Sequence, residues 1–164
     1  MTMAKGLNNG AVPMGAVVCK NEIYDTVVNG APATAIEFFH GYTYTGHPIA
    51  AAAACATLDV YQDEQLFERA AQLTLHFENE IHKLDSHKHV KDVRNLGLVG
   101  GIELHTRDGQ VGARAYETFV KCYEAGVLIR VTGDIIAISP PLIISEAQIS
   151  EIFDTIIRVL DTVA

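Results

Sequence analysis

Lys5, Thr43 and Arg130, widely spaced in a chain of 164 residues, offer an amine, a hydroxyl and a guanidinium. A lysine amine becomes a nucleophile and a proton carrier once its pKa is lowered, although most lysines simply lie exposed. A threonine hydroxyl can donate to an anion; its commoner use is a local backbone bond in a turn. Guanidinium grips a carboxylate with two parallel, charge-assisted bonds. Arg130, between Ile129 and Val131, equally suits a solvent-facing strand position. Tyr42, beside Thr43, fits a pocket wall or an ordinary core or surface aromatic.

Other constellations point to plainer roles. His82, His87 and His89 cluster in sequence, but they straddle a helix end and a polar loop and lack the cysteine or carboxylate spacing of a metal site. Surface histidines are the expected reading, with no metal. Asp59, Asp63 and Glu64 read as a solvated helix face. Gly97-x-x-Gly100-Gly101 lacks the context of a phosphate loop and suits a strand with close backbone packing.

Composition narrows the class. Apolar residues make up 49% and charged residues 20%, the balance of a globular chain with a core of its own. The net charge of −8, without a basic cluster, argues against a nucleic-acid surface. Cys19, Cys55 and Cys122 are odd in number and far apart, so neither a disulfide framework nor a zinc site is suggested, and a reducing, cytoplasmic setting is the expectation. Residues Met1–Gly6 do not resemble a signal peptide. The alanine-dominated run from Ile49 to Ala56 is far below membrane-spanning length.

The elements that must position these residues form an α/β pattern. Residues 1–16 read as loop, Met14 to Cys19 as a short buried strand, and Asn21 to Val28 as a helix stopped by Asn29-Gly30. Residues 31–47 read as a structured loop. Pro48 suits a first helical position, and the helical region that follows has a break expected near Gln62-Asp63. Leu66, Ala70, Leu73, Phe77, Ile81 and Leu84 then keep one apolar stripe. Val93 to Leu104 reads as a strand. Ala113 to Ala125 reads as a helix closed by Gly126. Val127–Val131 and Ile135–Ile138 read as strands joined at Thr132-Gly133-Asp134. Ser145 and Gln148 make a capping box, with Ile144 and Ile149 as its staple, before a final amphipathic helix.

Four segments resemble those of the class III aminotransferases, in the family's order. Ala4-Lys5-Gly6-Leu7-Asn8-Asn9-Gly10-Ala11-Val12-Pro13-Met14-Gly15-Ala16-Val17 is similar to the segment holding the cofactor lysine. His40-Gly41-Tyr42-Thr43-Tyr44-Thr45-Gly46-His47-Pro48 resembles the loop that reaches the cofactor phosphate of the partner subunit. Gly97-Leu98-Val99-Gly100-Gly101-Ile102-Glu103 resembles a small-domain strand. Ile129-Arg130-Val131-Thr132-Gly133-Asp134, followed by Ser139-Pro140-Pro141-Leu142, resembles the strand bearing a substrate-carboxylate arginine. Within the family, the ω-amino acid:pyruvate transaminases look most similar.

The resemblance implies the C-terminal part of a fold-type I transferase dependent on pyridoxal 5′-phosphate. Residues 1–60 would end the large domain, 61–84 form a connecting helix, and 85–164 a small α+β domain. Lys5 would hold the cofactor, and Tyr42 and Thr43 would line or bind its phosphate site in a homodimer. Arg130 would take the substrate carboxylate, with an amino acid or amine as donor and an oxo acid such as pyruvate as acceptor. Less than half of a family chain is covered, and the upstream part would carry the aspartate, aromatic and glycine-containing turn that complete the cofactor site. The alternative is a non-catalytic module that dimerises or pairs with an N-terminal half.

Overall fold

The computed structural model describes residues 1–35, 38 and 40–164. They form two compact units, Met1–Gln65 and Leu66–Ala164.

In the first unit, β1 (Thr2–Ala4) pairs antiparallel with β2 (Gly15–Val17), placing Thr2 opposite Val17 and Ala4 opposite Gly15. A 3-10 turn, Lys5–Leu7, follows β1. Two expectations are corrected here. Residues 1–16 are not all loop, and β2 is shorter than Met14–Cys19 and not buried, with Val17 74% exposed. A two-stranded ribbon satisfies one edge of each strand and covers neither face, so apolar character alone did not bring burial.

Helix α1 spans Asn21–Asn29 and buries none of its residues. Helix α2, Pro48–Asp63, starts with proline at its first position, where the missing N–H costs nothing. Its buried residues are Ala50 and Ala54, one turn apart on a single face. The chain leaves α2 through Gln65, whose φ of +48° breaks the helical path at about the expected place.

In the second unit, α3 (Leu66–Ile81) runs into a 3-10 turn, His82–Leu84. Then come β3 (Val90–Leu96), β4 (Val99–Leu104), α4 (Ala113–Glu124), β5 (Arg130–Thr132), β6 (Ile135–Ile138) and α5 (Glu146–Leu160). The strands make one antiparallel sheet in the order β3-β4-β6-β5. Pairing places Val93, Ile102, Ile136 and Val131 in one row and Arg94, Gly101, Ala137 and Arg130 in the next. Successive side chains alternate faces, so the first row joins the helices in the core and the second faces away. Phe77 of α3 meets Phe153 of α5 edge-to-face, with ring centroids 5.2 Å apart in the centre of that core.

The stretch read as one strand from Val93 to Leu104 is a hairpin. Gly97, at φ +57°, and Leu98 form its two-residue turn. Gly100 lies directly under α3: a Cβ there would overlap Ile81 Cδ1 and lie 3.1 Å from the Phe77 ring. Close backbone packing is therefore what the glycine run provides. The strand read from Val127 begins only at Arg130, and Val127 itself closes the end of α4. There Val127 N–H donates to Cys122 C=O at 2.8 Å and Gly126 N–H to Tyr123 C=O at 3.0 Å, with Gly126 at φ +90°. This is a Schellman closure, which satisfies the last carbonyls of the helix. At α5 the capping box is present: Gln148 N–H donates to Ser145 Oγ at 3.3 Å, and Ser145 N–H to Gln148 Oε1 at 3.0 Å.

Candidate functional site

Lys5 opens a tightly closed loop. Its carbonyl accepts from Asn8 N–H at 3.4 Å and Gly10 N–H at 3.2 Å. Asn8 is fully buried, donates from Nδ2 to Val12 C=O at 2.5 Å, and accepts from Gly10 N–H at 3.2 Å. Tyr61, reaching from α2, donates its hydroxyl to Gly6 C=O at 2.6 Å. These bonds hold Lys5 at φ +55°, a left-handed conformation that costs a residue with a Cβ about 1–2 kcal/mol. Such strain persists only where the surroundings over-determine it, and it concentrates at functional positions. The Lys5 side chain is exposed, and its amine has no hydrogen-bond or ion-pair partner among the described residues.

The loop carrying Tyr42 and Thr43 is also self-held. Tyr42 N–H donates to Thr45 Oγ1 at 2.8 Å, and Thr45 N–H returns a bond to Tyr42 C=O at 2.9 Å. His47 N–H then donates to Tyr44 C=O at 3.1 Å, just before α2. Tyr42 packs edge-on against His40, with centroids 5.6 Å apart. A cleft of about 450 Å³ opens between this loop and the Val12–Gly15 segment; Tyr42, Thr45 and His47 are among its walls. His47 Nδ1 is buried without a partner among the described residues. Thr43 is exposed and, like Lys5, is not a wall of this cleft.

Arg130 belongs to the second unit. It sits at the start of β5, an edge strand, on the sheet face turned away from the helices. Its side chain has no hydrogen-bond or ion-pair partner among the described residues, and Arg130 is one of the residues bordering a cleft of about 550 Å³. The cleft's apolar walls include Tyr116, Phe119, Leu128, Pro141 and Ile152. A guanidinium without an internal partner keeps its donors available for a carboxylate.

The three histidines serve internal bonds. His82 bridges Asp85 and Asn95, His87 reaches Asp161, and His89 donates from Nε2 to Val163 C=O at 2.9 Å. Burial and the nearby Arg114 hold the His89 ring below its ordinary pKa. Burial pushes the Cys122 thiol up to about 11, which leaves it unreactive. Among the described residues no group of three or more His, Cys, Asp or Glu side chains is placed to hold a metal ion. No helix among them is long and apolar enough to cross a membrane.

Three residues that organise these sites were not singled out by their types. Asn8 and Tyr61 brace the Lys5 loop, and Asp134 braces the Arg130 hairpin. Only Asp134 had a local signal, its place in the Thr-Gly-Asp turn.

Comparison with known proteins defines the class. The profile described as "Aminotransferase class-III" matches residues 1–160, and the chain belongs to that family. It is 55% identical, over 98% of its length, to an omega-aminotransferase of Caulobacter vibrioides, of which it covers 36%. It is 41% identical, over 100% of its length, to a beta-alanine–pyruvate aminotransferase of Pseudomonas aeruginosa, covering 37% of it. Its fold matches the PMP-bound form of an aminotransferase from Vibrio fluvialis with a TM-score of 0.84 and 27% identity, over 98% of this chain and 37% of that one. The chain thus has the fold of part of a fold-type I transaminase and spans little more than a third of these relatives' length.

Proposed function

We propose that this chain is the C-terminal part of a pyridoxal-phosphate-dependent transaminase that moves an amino group from an amino acid or amine to an oxo acid such as pyruvate. The observation that carries the reading is the Lys5 loop: an exposed, unpartnered amine on a left-handed backbone braced by Asn8 and Tyr61. Pyridoxal phosphate, when bound, supplies the aldehyde and the electron sink of amino transfer. The residues present fit it, since the Lys5 amine is free of internal partners and His47, a wall of the cleft beside the Tyr42–Thr45 loop, carries a buried Nδ1 with no partner among the described residues.

In this reading Lys5 Nζ would hold the cofactor and, as a free amine once the substrate amine has taken its place, would take up and return the proton moved during transfer. Thr43 would donate its hydroxyl to the phosphate of the partner subunit's cofactor and Tyr42 would line that pocket, which requires a homodimer as the working form. Arg130 binds the substrate carboxylate. Residues 1–60 end the large domain, 61–84 connect, and 85–164 form the small domain. Unpaired Cys19, Cys55 and Cys122 support a cytoplasmic setting.

A second reading, a non-catalytic module that pairs with another chain, draws on one observation. Helix α1 leaves Ile23, Tyr24 and Val27 at 40–57% exposure. Kinetics on the whole protein separate the two. The transaminase reading predicts amino transfer to pyruvate that Lys5→Ala abolishes. Arg130→Leu should weaken binding of carboxylate substrates by about 10–100-fold, the worth of a charged hydrogen-bond pair. Transfer that survives Lys5→Ala unchanged refutes the reading.

A further inference from the structure

We infer that Asp134 is a positioning residue for Arg130, its carboxylate clamping the β5–β6 hairpin to the loop that leads into α4. The inference rests on the carboxylate reading of Arg130 and deepens it.

The Arg130 side chain makes no bond among the described residues, so the backbone of β5, paired through Ala137, sets where that side chain starts. That strand is three residues long and sits at the sheet edge, paired only with β6. Edge strands with one neighbour shift and fray unless tied down. Burial of Ile129, 4% exposed, anchors the end next to Arg130.

The other end is the Gly133-Asp134 turn, and there a single side chain makes the anchor. Asp134 Oδ2 accepts from Thr106 Oγ1 at 2.7 Å, and Oδ1 accepts from Gly112 N–H at 2.7 Å. Its own carbonyl accepts from Leu104 N–H at 2.8 Å. Three bonds thus tie one turn residue to the end of β4, to the following loop and to the entry of α4. Gly112 and Gly133, both left-handed at φ +81° and +55°, let the two backbones meet. A Cβ on Gly112 would stand 3.3 Å from Gly133 C=O. The two oxygens have different donors on different elements, so neither amide nor shorter side chain can replace the pair fully. The donated bonds also hold the Asp134 carboxyl below the usual carboxylate range, which keeps it charged.

The test uses the whole enzyme with two amino donors, one bearing a carboxylate and one a plain amine without it, and amide exchange across β5–β6. Asp134→Ala is expected to raise KM for the carboxylate donor about tenfold, because displacement of a binding group by a fraction of an ångström has that scale. The expectation includes kcat within about twofold, an unchanged KM for the plain amine, and faster β5–β6 exchange. Asp134→Asn, which retains one acceptor, should recover part of the loss. Thr106→Val removes one bond only and gives the same reading, at smaller amplitude, if Asp134→Ala does not fold. Equal effects on both donors, or no effect on either, overturn the clamp. Arg130→Leu separates the layers. If it fails to discriminate between the donors, the carboxylate reading of Arg130 is wrong; if it discriminates and the clamp variants do not, the clamp is wrong.

Discussion

Replacing Gly100 by alanine tests the contact on which the second unit is built. An added Cβ would overlap Ile81 Cδ1 and stand 3.1 and 3.2 Å from two atoms of the Phe77 ring. Both neighbours are buried, at 0% and 1% exposure, so neither can swing into solvent. Relief requires off-rotamer side chains or a shift of α3, and overpacking of this kind costs about 1–3 kcal/mol. The lost flexibility of the unfolded chain returns about 0.4–1 kcal/mol. The net expectation is a destabilisation of about 1–2 kcal/mol, or a Tm lower by roughly 4–16 °C for a unit of this size. Gly101 is the control. Its Cβ would meet Arg94 at 3.7 Å, ordinary contact with an exposed side chain, so Gly101→Ala should stay within about 0.5 kcal/mol of the parent. Thermal and denaturant unfolding followed by circular dichroism measure both. Adding Ile81→Val, which removes the overlapping methyl, should recover part of the loss as a positive coupling in a double-mutant cycle. A Gly100→Ala variant as stable as Gly101→Ala would refute the account of α3 packing.

Two further expectations concern caps and charge. Ser145→Ala removes the side-chain acceptor of the α5 capping box, and should cost about 1 kcal/mol in denaturant unfolding. Glu117 accepts from Lys121 and Arg107, and those bonds hold its carboxyl below the usual range. A depressed folded pKa means the contribution is present above the unfolded value, roughly 4.3, and disappears as pH falls through the folded one. The unfolding midpoints of the parent and Glu117→Gln should therefore separate at neutral pH and converge as pH falls below the unfolded carboxylate value and through the depressed folded one.

What the residues foretold divides by the range of the interaction. The α5 capping box and the glycine closing α4 were legible because each cap is settled within a few residues. The Val93–Leu104 hairpin was not. Leu98, 7% exposed, puts a buried apolar residue inside the turn, so the hydrophobic run continued through the reversal. Val127 is buried where its N–H closes α4 and Ile129 is buried in the core, which imitates strand character just ahead of Arg130. Strand β1, only Thr-Met-Ala, owes its existence to pairing with β2, eleven or more residues away. Lys5, Thr43 and Arg130 came into view through flanking motifs. Asn8, Tyr61 and Asp134 did not, because what they hold is fixed by tertiary structure. Tyr61 bonds a carbonyl 55 residues away, and Asp134 bonds groups 22 and 28 residues away.

The central claim is that Lys5 holds the cofactor. Incubation with pyridoxal phosphate, borohydride reduction and peptide mapping by mass spectrometry test it directly. One adduct per chain, on the peptide containing Lys5 and absent from Lys5→Ala, is the predicted result. Labelling spread over many lysines, or a single adduct elsewhere, would contradict it.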